Sequence, residues 1–114
     1  MEQILNYIDG QLIEPASGLF FDNIEPATGK VYSHIPDSDQ LDVETAVVAA
    51  SKAKEQWAGS RIESRSALLM KIADLIDRDI DALARAEAVD NGKPISLARA
   101  VDIPRASANF RFYA

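Results

Sequence analysis

The 114-residue sequence contains no cysteine and only one histidine, His34. The absence of cysteine excludes disulfides, thiolate zinc sites and cysteine nucleophiles for this chain. His34 lies in the alternating segment 31–35, where a histidine is far more often a solvent-facing strand residue than a catalytic base. A Ser-His-Asp triad would depend on this histidine. The residue inventory therefore argues against catalysis by this chain alone.

Positive charge is also scarce, since 12 Lys and Arg stand against 18 Asp and Glu, for a formal net charge of −6. Nucleic-acid phosphates and anionic membrane surfaces repel an acidic chain that has no local Lys/Arg cluster. No apolar run approaches the roughly 20 residues that cross a bilayer, and no signal peptide is recognisable at the start. We therefore expect a cytoplasmic protein with neither nucleic-acid nor membrane partners.

The first third of the chain has the pattern of short strands. Residues 6–9 and 11–14 flank Gly10 as a hairpin, and residues 19–24 and 31–35 alternate as two further strands separated by a Pro- and Gly-containing turn at 26–30. Pro36 closes the last of them. The sequence predicts a small antiparallel β unit over residues 1–36.

From residue 37 the apolar period changes to that of helices, and residues 37–114 are predicted to be helical, with three or four helices. Asp39 is a suitable N-cap for a first helix that ends at Gly59. A second helix begins near Glu63 and is expected to break near Asp79, and the stretch 90–94 stops it. A last helix starts near Ser96. The fold class is therefore α+β.

The final residues, 108–114, stop in a helical pattern with three aromatic side chains and no stop signal. The aromatic side chains of such a turn need other protein atoms to shield them from water. We expect that the chain was cut from a longer protein and that its bare apolar surface makes it prone to self-association. The alternative is a free-standing acidic protein-interaction module without catalysis, which would leave no large apolar patch.

Six short segments, in the same order and over nearly the whole chain, resemble motifs of the aldehyde dehydrogenase superfamily. They are residues 7–11 (F-I-N-G-x-W, with Leu12 where Trp is common), 23–30 (N-P-A-T-G-E, with Glu25 for the usual Asn), the Ala-rich helix 43–57 ending in Trp57, 65–76 (R-x-x-L-L-x-x-x-A-D-x-I), 87–94 (E-T-x-D-N-G-K-P) and 110–114 (L-R-Y-Y-A). Of the members, the chain looks most like the 2-amino- and 2-hydroxymuconate semialdehyde dehydrogenases, with betaine aldehyde dehydrogenase as the second choice.

The resemblance implies the amino-terminal edge of a Rossmann-like α/β cofactor domain, which later sequence completes. In the family a thiolate attacks an aldehyde, hydride passes to NAD or NADP, and water activated by a glutamate releases the acid. These groups lie downstream of the matched part. The implied cofactor therefore binds the parent enzyme and not this chain alone. The implied partners are the remainder of the polypeptide, the aldehyde and the other subunits of a homo-oligomer.

The resemblance also implies a monovalent cation site. In the family the ion is often bound by the aspartate that matches Asp90 and by backbone carbonyls near Asn23 and Ile24. A carboxylate with several carbonyl oxygens suits a weakly held hard cation. The simpler interpretation is that Asp90 belongs to a turn with Gly92, where tight backbone conformations are common.

Arg105 is the candidate substrate-binding residue. The run 102–105, Asp-Ile-Pro-Arg, is similar to that of the muconate semialdehyde dehydrogenases, whose arginine here holds a substrate carboxylate. A guanidinium suits that role because its planar fork binds both oxygens. The alternative is a solvated helix arginine, for which Asp102, three residues earlier, is a candidate partner. Pro104 is expected to disturb the helix here.

Overall fold

The computed structural model describes residues 2–114, which form short strands followed by helices. The strands are β1 (Glu2–Gln3), β2 (Asn6–Ile8), β3 (Gln11–Ile13), β4 (Phe20–Glu25) and β5 (Lys30–Pro36). The helices are α1 (Gln40–Gly59), α2 (Ile62–Arg78), α3 (Ile80–Asn91), α4 (Ile95–Leu97) and α5 (Ile103–Tyr113), with a π-helical turn, Ala98–Asp102, between the last two. The predicted α+β class is confirmed.

The hairpin of β2 and β3 turns on two residues with positive φ, Asp9 at 53° and Gly10 at 76°. Two such residues give the tight turn whose twist matches that of the flanking strands. Ile8 therefore pairs directly with Gln11.

The larger sheet has the order β1-β5-β4. Strands β4 and β5 are antiparallel, as predicted, with an irregularity between Asn23 and Ile24. The prediction of a purely antiparallel unit was wrong in one respect, because β1 pairs with β5 in parallel, with Glu2 opposite Ser33. A strand of two residues carries too little alternation to be recognised in the sequence.

Two carboxylates hold the start of α1. Asp39 Oδ1 accepts the backbone N–H of Leu41 at 2.8 Å, as expected of an N-cap. Asp42 reaches back, and its Oδ2 accepts the N–H of Asp39 at 3.0 Å. Its Oδ1 accepts the N–H of Ala16 at 2.9 Å, which ties the loop before β4 to the helix.

The chain divides into two compact units: 1–25 with 29–59, and 26–28 with 60–114. The first contains the strands and α1, and the second contains the later helices. In the second unit, small residues let the helices approach closely, since Ala73, Ala84 and Ala98 are completely buried. The Ser107 hydroxyl of α5 donates a hydrogen bond to the carbonyl of Ala73 on α2 at 3.4 Å.

The predicted breaks between helices are confirmed. Helix α2 ends at Arg78 and α3 begins at Ile80, so the interruption falls on Asp79. Gly92 ends α3 in the left-handed conformation at φ 79°, where its N–H bonds to the carbonyl of Ala88. Among the described residues, no helix combines the length and the apolar character that crossing a membrane requires.

Candidate functional site

Arg105 lies in the first turn of α5, directly after Pro104. Its side chain is exposed, and it forms no hydrogen bond or ion pair with any of residues 2–114. The expected disturbance of the helix is confirmed, because the backbone widens into the π-helical turn Ala98–Asp102 just before α5. π-Helical turns are rare and occur frequently at functional sites.

Arg105 is exposed, which agrees with the alternative of a solvated helix arginine, but its pairing with Asp102 is wrong. Asp102 Oδ2 instead accepts a hydrogen bond from Lys93 Nζ at 2.6 Å. Lys93 Nζ also lies 3.5 Å from Glu87 Oε1 on α3. The hydrogen bond that Lys93 donates to Asp102 raises the pKa of Lys93 above its usual value, and the negative charges of Asp102 and Glu87 add to this although desolvation opposes it. The cation that neutralises Asp102 is therefore Lys93, and Arg105 has no acidic partner among residues 2–114.

The three residues of the cation prediction fall in different compact units, Asn23 and Ile24 in the first and Asp90 in the second. Within the first unit, the amide of Asn23 donates to the hydroxyl of Tyr32 at 2.8 Å. Asp90 is an exposed residue of the last turn of α3. Among the described residues, no group of three or more His, Asp or Glu side chains could hold a metal ion. A site built largely from backbone carbonyl oxygens does not need such a group, so the cation site stays a prediction.

Sequence reasoning missed an ion cluster between α2 and α5. One nitrogen of the Arg111 guanidinium lies 2.8 Å from Asp74 Oδ1 and 2.6 Å from Asp77 Oδ2. The Ser107 hydroxyl and the Arg111 guanidinium beside Asp77 hold the pKa of that carboxyl below its usual value, and the carboxylates of Asp77 and Asp74 raise the pKa of Arg111. The spacing of Asp74 and Asp77 places both on one helix face, but the partner residue could not be found from that spacing.

Large apolar side chains remain exposed in both units, whereas the fully buried apolar residues among 2–114 are alanines. In the second unit, Phe112 is 81% and Tyr113 78% exposed. In the first unit, the large exposed apolar residues of α1 are Leu41, Val43, Val47, Val48 and Trp57. A self-sufficient module is expected to bury such side chains, because each contributes about 1.5–3 kcal/mol when removed from water. This surface therefore counts against the free-standing interaction module.

The sequence profile of the aldehyde dehydrogenase family matches residues 13–114. The chain belongs to the aldehyde dehydrogenase family. The resemblance to this family is confirmed, and five of its six segments lie within the matched residues.

Two curated relatives show the range of this similarity. A long-chain-aldehyde dehydrogenase of Acinetobacter sp. is 46% identical over 113 residues, which cover 99% of this chain. The 2-aminomuconic semialdehyde dehydrogenase of Bos taurus is 43% identical over 109 residues, or 96% of the chain. The chain spans only 22% of the length of each relative.

Among solved structures, the NAD⁺ complex of the Bacillus cereus aldehyde dehydrogenase matches with a TM-score of 0.94 at 36% identity. The match covers 98% of this chain and 23% of that one. The fold is thus that of the amino-terminal part of the cofactor-binding domain in aldehyde dehydrogenases, as predicted.

Proposed function

We propose that this chain serves as the amino-terminal scaffold of a longer NAD(P)-dependent aldehyde dehydrogenase that oxidises an aldehyde to a carboxylate. The match of the family profile to residues 13–114 supports the reaction class. The short span relative to the family's members supports a role as one part of a larger enzyme. The bare apolar surface of both units is the surface that further polypeptide would cover.

The residues of this chain do not fit a complete dinucleotide site. A Rossmann turn that cradles a pyrophosphate uses closely spaced glycines in the pattern G-x-G-x-x-G. The nearest pair here, Gly10 and Gly18, is eight positions apart. The chain also lacks the cysteine that the covalent step requires. We therefore assign cofactor binding and covalent chemistry to the rest of the longer enzyme, and expect the 114-residue chain alone not to reduce NAD with any aldehyde.

For the substrate, we propose an anionic semialdehyde whose distal carboxylate binds Arg105. The observation that supports this is the exposed Arg105 side chain, which has no acidic partner among residues 2–114. The similarity to 2-aminomuconic semialdehyde dehydrogenases of cattle and zebrafish agrees with it. One relative is named a long-chain-aldehyde dehydrogenase, so a neutral aldehyde is the alternative substrate that the experiment must distinguish. The cytoplasmic location and the homo-oligomeric state of the longer enzyme stay predictions.

The test compares kcat/KM of the longer enzyme for a semialdehyde and for a neutral aldehyde of the same chain length. Losing a charged hydrogen bond costs about 1.5–3 kcal/mol, so Arg105→Met should lower the ratio of the two values roughly 10- to 100-fold. Arg85→Met is the matched control, since Arg85 is also exposed and forms no ion pair within residues 2–114. An unchanged ratio in Arg105→Met would show that Arg105 does not bind the substrate carboxylate.

A further inference from the structure

The acidic residue nearest Arg105 along the helix is bound elsewhere. Asp102 precedes Arg105 by three positions, a spacing at which oppositely charged side chains normally meet on a helix surface. Its carboxylate nevertheless accepts the hydrogen bond of Lys93 at 2.6 Å, and Arg105 forms no ion pair within the described chain. Asp102 therefore forms its ion pair with Lys93 and not with Arg105.

The local backbone explains why the lysine is well placed. Lys93 follows Gly92, which ends α3 at φ 79°, and its own N–H donates to Asn91 Oδ1 at 2.9 Å. Nδ2 of the same Asn91 side chain donates to Glu87 Oε1 at 2.6 Å. Asn91 therefore holds both the backbone at Lys93 and the carboxylate of Glu87 in place. Only 28% of the Lys93 side chain is exposed. A half-buried side chain loses less conformational freedom on forming the pair than the exposed Arg105 would.

We propose that Lys93 is a positioning residue that keeps Asp102 away from Arg105, so that the guanidinium stays available to the carboxylate of an anionic semialdehyde. This inference rests on the proposed function, because it needs Arg105 to contact the substrate. Lys93 itself touches neither substrate nor cofactor. It acts by removing an intramolecular competitor from the binding site.

The chemistry of the competition sets the expected effect. Without the ammonium group, Asp102 loses its cation. Arg99 and Arg105 each lie three positions from Asp102, but Arg99 is already paired with Asp81 at 2.5 Å, so Arg105 is the cation left to bind Asp102. A substrate carboxylate must then displace Asp102 before it binds. Exposed ion pairs are worth about 0.2–1 kcal/mol, so KM for the anionic semialdehyde should rise roughly 1.5- to 5-fold. A neutral aldehyde does not use the guanidinium, so its KM should stay the same.

The experiment measures kcat and KM of the longer enzyme with a semialdehyde and a matched neutral aldehyde. Lys93→Met should raise KM for the semialdehyde alone and leave kcat unchanged. Lys93→Arg keeps a cation beside Asp102 and should behave as the unmodified enzyme does. The double variant Lys93→Met with Asp102→Asn removes the competitor as well as the lysine, and should restore the original KM.

Other outcomes overturn the inference in distinguishable ways. If Lys93→Met changes KM for both aldehydes equally, or if Asp102→Asn does not restore it, Lys93 has only a structural role. If Arg105→Met changes the preference between the aldehydes but Lys93→Met does not, this inference fails while the proposed function stands. If neither variant changes the preference, the proposed substrate fails together with the inference.

Discussion

Gly92 lies so close to Pro26 that a Cβ atom built on Gly92 would be 3.0 Å from the Cβ of Pro26. The same glycine has φ 79°, a conformation that side chains disfavour. Two family motifs distant in sequence, the Pro-Ala-Thr-Gly turn and the Asp-Asn-Gly-Lys-Pro stop, therefore meet inside the second unit. Both the backbone angle and the close approach require glycine at this position.

Gly92→Ala should destabilise the longer enzyme more than Gly18→Ala. Gly18 has a similar φ of 68°, but no atom lies within 4 Å of the position that its Cβ would take. Gly18→Ala therefore measures the cost of the strained backbone conformation without any steric contact. That strain costs about 1–2 kcal/mol, and overpacking against Pro26 should add roughly 1–3 kcal/mol. Thermal unfolding midpoints of the two variants check this. Equal midpoints would show that Pro26 moves away without cost.

The Asp77 cluster predicts a stability difference that depends on pH. Ser107 and Arg111 hold the folded pKa of Asp77 below 3.8, so its carboxylate stabilises the fold above that pH. The contribution disappears as the pH falls through the folded value. Asp77→Asn should therefore lower the unfolding midpoint at neutral pH, and this effect should shrink as the pH falls through the lowered pKa of Asp77.

Glu14→Gln provides the control for this titration, because Glu14 is exposed and has no ion pair within residues 2–114. Its midpoint should follow that of the unmodified protein at every pH. A deficit of Asp77→Asn that is as large in acid as at neutral pH would mean that the carboxylate charge is not what stabilises α2 against α5.

The exposed aromatic pair at the end of α5 predicts self-association of the 114-residue chain. Phe112 and Tyr113 are 81% and 78% exposed, with ring centroids 5.1 Å apart. The isolated chain should bind ANS and scatter light more strongly as its concentration rises. Replacing both aromatics by serine should reduce both signals, whereas Arg85→Ser should not. A chain that stays monomeric and binds no dye would favour the free-standing interaction module.

The cation proposal is tested by adding potassium or sodium salts to the longer enzyme. Binding to the folded state alone raises the unfolding midpoint by mass action. Asp90→Asn should abolish the increase, and Glu55→Gln, another exposed carboxylate, should preserve it. An increase that survives Asp90→Asn would be a general salt effect and would leave Asp90 as a residue of the turn.

Features governed by neighbouring residues were predictable. Asp39 caps α1, Asp79 interrupts the second helix, and Gly92 ends α3, because each signal acts within about one turn of helix. The strand pattern was equally local, except for β1, whose partner β5 lies some 30 residues away. Its existence depends on a neighbouring strand and not on its own two residues.

The partners of charged side chains were not predictable in the same way. Arg111 pairs with residues 34 and 37 positions before it, and Lys93 reaches Asp102 across the end of a helix. Spacing along one helix suggested that Asp102 binds Arg105, but the loop after α3 brings a better placed cation. The roles of Arg105, Asn23, Ile24 and Asp90 stay predictions, because they depend on substrate, ion and further polypeptide.

The second unit includes three residues, 26–28, of the turn between β4 and β5. Neither unit is therefore one uninterrupted stretch of chain, and no single backbone cleavage releases either of them whole. Residues 60–114 expressed without that turn would leave Gly92 without the proline ring it packs against. To express the second unit whole or to transfer it to another protein, residues 26–28 and residues 60–114 must therefore both be included.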